Sequence, residues 1–129
     1  MTVKPADRAL VERYFRAMQA GPDGTDELVG LFADDAVYVE PFSGNGQAAT
    51  HRGKAAIAAV FRGMTDRVRD LVVTVHQIVL DGNQIRSEWT CTAPAFPGPV
   101  RGHDLYTIRD GKIARLETIL ASSANASSA

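Results

Sequence analysis

The sequence predicts an α+β fold in which three N-terminal helices cover one face of an antiparallel sheet. Apolar residues recur at helical spacing through the first half of the chain and alternate with the two-residue period of strands through the second half. No helical segment separates the later strands, which argues against parallel β-α-β units. At 129 residues the chain fits one domain, read as residues 1–120, with a small polar tail at 121–129 that has nothing to bury and is expected to be disordered.

From about Ala6 to Ala20, the residues Leu10, Val11, Tyr14, Phe15 and Met18 form one apolar stripe, opposite Arg8, Glu12, Arg13 and Arg16. Gly21-Pro22 and Asp23-Gly24 supply turn chemistry that ends this helix. Thr25 is placed to cap the second helix, whose buried residues are Leu28, Leu31 and Phe32. The paired Asp34 and Asp35 favour caps and turns, Ala36 to Val39 runs extended, and Pro41 keeps Glu40 out of the helical region. Ser43 to Gly53 is polar and glycine-rich and reads as a loop. Its Gly44, Gly46 and Ala49 make only a degenerate dinucleotide fingerprint, without the surrounding parallel unit such a site needs.

Lys54 to about Val68 is a third helix, with Ala56, Ile57, Val60, Phe61 and Met64 inward. Leu71 to Leu80 is a strand, and Asp81-Gly82-Asn83 turns it into Gln84 to Ala93. There Ile85, Ser87, Trp89 and Cys91 share one face. Pro94 to Pro99 is a connection. Val100 to Arg109 and Lys112 to Leu120 are the last two strands, joined at Asp110-Gly111. Alternation puts Val100, Gly102, Asp104, Tyr106 and Ile108 together, opposite Arg101, His103, Leu105 and Thr107.

The 14 basic and 15 acidic residues nearly cancel, which gives no electrostatic footprint for nucleic acid or an anionic membrane. No apolar run approaches the length of a membrane span or a secretory signal, so the expectation is a soluble, cytoplasmic protein. A single cysteine, Cys91, excludes an intrachain disulfide. His51, His76 and His103 show no metal-ligand spacing, so no metal and no cofactor is expected.

Three residues carry candidate chemistry. Glu40 stands between Val39 and Phe42, and a carboxylate in that company is either an accident of the surface or a tuned acid/base. Asp104 either enters the core beside Tyr106 or makes turn-like hydrogen bonds at a strand end. Tyr14, on a buried stripe, is a core phenol that needs a partner. Together they could supply a base, a phenol donor and a neutral acid donor, a set suited to moving a proton next to a carbonyl.

Val11-Glu12-Arg13-Tyr14, Leu31 to Ala36 with Glu40-Pro41, Gly53 to Ile57, and His103 to Tyr106 with Asp110 to Ile113 resemble the nuclear transport factor 2-like superfamily. Within it they are similar to the bacterial ketosteroid isomerases and the SnoaL-like polyketide cyclases. The resemblance implies a curved sheet wrapped around the helices as a cystatin-like cone. It also implies an apolar pocket, lined by Phe15, Met18, Phe32, Phe42 and Val60 together with Phe61, Met64, Trp89 and Tyr106, for a hydrophobic small molecule. A homodimer through the outer sheet face is implied too.

By the same resemblance Tyr14 falls on the isomerases' oxyanion-hole tyrosine, Asp104 on their protonated aspartic acid, and Glu40 on their general base, which in the isomerases is aspartate. The implied activity is cofactor-independent acid/base catalysis on a hydrophobic carbonyl compound, as isomerisation through an enolate or as cyclisation. A non-catalytic binding or dimerisation module is the alternative. Limonene epoxide hydrolase, another relative, relies on an aspartate-arginine-aspartate set, and Arg101 lies on the strand face opposite Asp104.

Overall fold

The computed structural model describes residues 2–44 and 47–121, so the expected tail beyond Ala121 lies outside the described residues. The helices form where the apolar spacing places them. α1 spans Pro5–Gln19, α2 Thr25–Gly30 and α3 Lys54–Arg67, with a 3-10 turn at Gly21–Gly24 between the first two. Pro5 occupies the first turn of α1, where its missing N–H has no intrahelical partner to lose.

Two expectations for this region change. Thr25 does not cap α2 but lies inside its first turn, and its buried Oγ1 has no partner among the described residues. Phe32 does not close a helix; it opens β1, which runs Phe32–Gly44. The segment read as a loop after Phe42 contains a strand, β2, at Gln47–Arg52. Apart from Thr50 it has no β-branched residue, and its extended state comes from pairing, with Tyr38 opposite His51 and Val39 opposite Thr50.

The remaining strands are β3 Val72–Asp81, β4 Gln84–Thr92, β5 Val100–Arg109 and β6 Lys112–Leu120. They join a curved, unclosed six-stranded sheet of order β2-β1-β6-β5-β4-β3. Every pairing is antiparallel except β1 with β6, which are parallel. The three helices pack on one face, and Leu10, Tyr14, Leu28, Phe32, Phe61 and Leu116 belong to a single buried core.

This order decides the placement of the candidate residues. β6 lies between β1 and β5. Val39 pairs with Glu117 in β6, and Thr118 pairs with Asp104 in β5, so Glu40, Thr118 and Asp104 fall at one level across three neighbouring strands. Two strand spacings separate the backbones of Glu40 and Asp104, about 10 Å.

Candidate active site

Asp104 is 2% exposed and lies on the helix-covered face with Gly102 and Tyr106, which are also buried. Thr118 Oγ1 donates to its Oδ1 at 2.8 Å and the Tyr106 hydroxyl donates to its Oδ2 at 3.1 Å. Tyr106 in turn meets Ser87 Oγ at 2.9 Å, so the carboxyl ends a hydrogen-bonded chain across three strands. Burial pushes the Asp104 carboxyl up, and the donors Thr118, Tyr106 and Trp89 hold it back, leaving it at about 7. At neutral pH it therefore populates both forms, and its acid form can donate.

Trp89 stands next to this group. Its buried Nε1 lies close enough to favour the charged carboxylate but makes no aligned hydrogen bond among the described residues. Gly102 is what lets the indole lie there. A Cβ on Gly102 would come within 2.8 Å of the ring and 2.6 Å of the Ile119 carbonyl oxygen.

Tyr14, from α1, is 1% exposed and packs edge-on against Phe15, Phe32, Phe61 and Tyr106 at centroid distances of 5.1 to 6.3 Å. Its phenol is pushed well above the usual range, first by burial and then by the neighbouring Tyr38, Asp104 and Tyr106. It is held as a neutral O–H. Tyr38, from β1, stacks on Phe61 at 5.1 Å, and its phenol is likewise raised, mainly by burial, with Thr118 acting in the opposite sense.

Tyr14, Tyr38, Asp104 and Thr118, together with Arg67 and Cys91, form the polar part of the wall of a cavity of about 440 Å³. That volume suits a small organic molecule. Of the apolar residues expected in its wall, Phe15, Met18, Phe42, Met64 and Trp89 are there. Phe32, Val60, Phe61 and Tyr106 are not among the lining residues. Phe32, Phe61 and Tyr106 are wholly buried and Val60 packs against the same core. An inward apolar face looks the same in sequence whether it meets a cavity or another side chain. Sequence reasoning missed Tyr38 and Thr118. Each was legible through alternation, Tyr38 from Glu40 in β1 and Thr118 from Leu116 in β6.

Glu40 is 1% exposed but does not line the cavity. β1 leaves its ladder at this point, where its pairing with β2 shifts register, and Pro41 has no N–H. The next two amides therefore turn back to the Glu40 side chain, Phe42 N at 2.6 Å and Ser43 N at 3.1 Å from Oε1. Oε2 accepts from Ser43 Oγ and from His51 Nε2, the latter at 2.8 Å. Burial raises this carboxyl, but the hydrogen bonds from Ser43, His51 and the Phe42 amide outweigh it and leave it below its ordinary value. The two candidate carboxyls are thus driven apart, Glu40 ionised and Asp104 near neutrality. The structure brings Tyr14 and Asp104 together at the cavity and leaves Glu40 out of its lining, to which Tyr38 and Phe42 belong.

Among the described residues no group of three His, Cys, Asp or Glu is placed to hold a metal, and no helix is long and apolar enough to cross a membrane. Arg101, the arginine an epoxide hydrolase set would need, is exposed on the other face of β5 from Asp104.

Residues 11–116 match the model of the SnoaL-like domain. A polyketide cyclase-like protein from Sinorhizobium meliloti is 32% identical, with a TM-score of 0.69 over 85% of this chain and 93% of that one. A ketosteroid isomerase-like protein from Kribbella flavida is 21% identical, with a TM-score of 0.69 over 94% and 82%. A protein with a cystatin-like fold from Methylobium petroleophilum is 22% identical, with a TM-score of 0.74 over 95% and 80%. The last two are likenesses of fold. No curated protein matches the sequence. The chain belongs to the SnoaL-like domain family, within the nuclear transport factor 2-like superfamily.

Proposed function

We propose that the protein binds a hydrophobic carbonyl compound in the cavity and moves a proton next to that carbonyl without a cofactor, as an isomerisation or a cyclisation. The observation that carries this reading is Asp104, a buried carboxyl in an apolar cavity wall, held at about 7 beside the neutral Tyr14 hydroxyl. Two O–H groups in one cavity wall can stabilise an oxyanion more than they stabilise the ground-state carbonyl. Glu40, ionised at the same sheet level, supplies the negative charge on the base side.

A binding function without proton transfer is the second reading. It is favoured by one observation: the four acceptor positions of Glu40 are filled by Phe42, Ser43 and His51, outside the cavity wall.

The test uses two probes. Trp89 is the chain's single tryptophan and lines the cavity, so its emission reports on occupancy by 2-naphthol, a phenol that mimics an enolate. Conversion of a β,γ-unsaturated ketosteroid to its conjugated enone, followed by absorbance, reports on proton transfer. Quenching with turnover supports catalysis, quenching without turnover favours the binding reading, and neither would defeat both.

A further inference from the structure

The cavity wall is sorted by burial. Its hydroxyl and carboxyl groups, on Tyr14, Tyr38, Asp104 and Thr118, all belong to buried residues, and only Phe42, Arg67 and Leu120 of its lining are exposed. Those three mark the mouth. Arg67 is the one cationic side chain in the lining, and among the described residues no carboxylate forms an ion pair with it. It is the last residue of α3, where an arginine ordinarily serves the helix by facing its final carbonyls. This one turns the other way. Its Nη1 lies back over Gly63, one turn nearer the helix N-terminus, where a Cβ on Gly63 would stand 3.2 Å from it.

We infer that Arg67 receives a carboxylate, and that the compound the cavity takes is amphipathic: a hydrophobic carbonyl compound with an acid group at the end remote from that carbonyl. This deepens the reading above, that the cavity binds such a carbonyl compound, and rests on it. The carbonyl end goes down to Tyr14 and Asp104, and the carboxylate stays at the mouth. The opposite orientation would bury the carboxylate in a largely apolar wall beside the Asp104 carboxyl, where desolvation and like charge both oppose it. A guanidinium presents paired N–H groups that match the two oxygens of one carboxylate. A single cation balances a monoanion and leaves a phosphate dianion half compensated. Because the pair forms at an exposed rim, its contribution is modest, and it selects among hydrophobic carbonyl compounds more than it holds them.

Three naphthols test the assignment, each titrated against Trp89 emission at low ionic strength and again in added salt. 2-Naphthol carries only the hydroxyl. 6-Hydroxy-2-naphthoate adds a carboxylate on the far ring, and 3-hydroxy-2-naphthoate adds it beside the hydroxyl. The 6-hydroxy acid is expected to bind about fivefold more tightly than 2-naphthol, the upper range for an exposed ion pair, and to lose that advantage as salt is added. The 3-hydroxy acid is expected to bind more weakly than 2-naphthol, because its charge would be carried down to Asp104.

In Arg67→Gln the ratio of the 6-hydroxy acid's affinity to that of 2-naphthol is expected to fall to about one. Arg69→Gln removes an equal charge from an exposed residue close by in the chain but outside the lining, and there the ratio is expected to stay. An advantage that survives Arg67→Gln, or that falls as far in Arg69→Gln, would overturn the proposal, since the carboxylate would then be held elsewhere or only by the general field. Equal affinities of the 6-hydroxy acid and 2-naphthol in the wild type would also overturn it while leaving the cavity reading in place. Failure of 2-naphthol itself to bind would defeat the cavity reading and this proposal with it.

Discussion

Thr118 Oγ1 donates to Asp104 Oδ1 at 2.8 Å, and the two residues are direct partners in the β5–β6 ladder. The bond ties the titration of the cavity carboxyl to strand register. Thr118→Val keeps the branched shape and removes the donor that favours the charged form. The Asp104 carboxyl is then expected to rise above about 7. The loss of stability is expected to be about 1 to 3 kcal/mol where Asp104 is ionised and less where it is protonated. Denaturant unfolding at about pH 5 and pH 8 measures the difference. Equal losses at both would contradict this account of Asp104.

Stability should depend on pH through the same group. In the unfolded chain the Asp104 carboxyl titrates at its ordinary 3.8, and in the folded chain at about 7. Between these values the folded state holds the extra proton, so stability falls as pH rises. The contribution is fully present below the lower value and is lost as pH passes the higher one, on the order of 4 kcal/mol. Asp104→Asn is expected to flatten the decline between about pH 5 and pH 8 in calorimetric melting. The Tyr106 hydroxyl can adapt to the amide by donating to Ser87 instead of to residue 104. A decline that persists in the variant would locate the responsible group elsewhere.

Asp104 was legible in the sequence as one of two alternatives, and the structure takes the buried one. Strand alternation put it with Gly102 and Tyr106, and all three are buried. Ile85, Ser87 and Trp89 in β4 behave the same way. Periodicity worked there because one face of each strand meets the helices and the other does not. β2 was not legible, since its polar residues become extended only by pairing with β1 at the sheet edge. For the same reason the contact between Glu40 and His51, eleven residues apart, was hidden. It exists because a hairpin folds the second residue back over the first, and no spacing rule for helices or strands encodes it.

Tyr14 separates packing from chemistry. Tyr14→Phe keeps the edge-on contacts to Phe15, Phe32, Phe61 and Tyr106. Stability is expected to change by less than about 1 kcal/mol. If the hydroxyl receives the developing oxyanion, ketosteroid turnover should fall by about a hundredfold to a thousandfold. Unchanged turnover in a stable variant would remove Tyr14 from the mechanism. A large loss of stability would instead make its hydroxyl a structural group.

Gly102 tests how the cavity wall is built. In Gly102→Ala the new methyl would meet the Ile119 carbonyl oxygen at 2.6 Å and the Trp89 ring at 2.8 Å. The indole can swing aside, but the Ile119 carbonyl is backbone and yields only at a cost, so both the ring and the β5–β6 pairing must shift. The expected cost is about 1 to 3 kcal/mol. Because Trp89 is the only tryptophan, its displacement should appear as a shift in emission maximum and weaker quenching by 2-naphthol. A variant with wild-type emission and wild-type stability would show that the wall has slack the structure does not suggest.

Glu40→Gln probes the other end of the site through stability alone. The amide oxygen can keep the Phe42 and Ser43 amide donors, while its NH₂ faces Ser43 Oγ and His51 Nε2, both of which can turn to accept. The cost at neutral pH is therefore expected to be modest, about 1 to 2 kcal/mol, mostly from exchanging charge-assisted bonds for neutral ones. The pH dependence has the opposite sign to that of Asp104. The folded Glu40 carboxyl lies below its ordinary 4.5, so its contribution is present above that value and is lost as pH falls through the folded one. Glu40→Gln should thus cost less at about pH 3 than at pH 6 in denaturant unfolding. A cost that is the same at both would mean that the carboxylate's hydrogen bonds do not favour its charged form, and the separation of the two carboxyls would fail at this end.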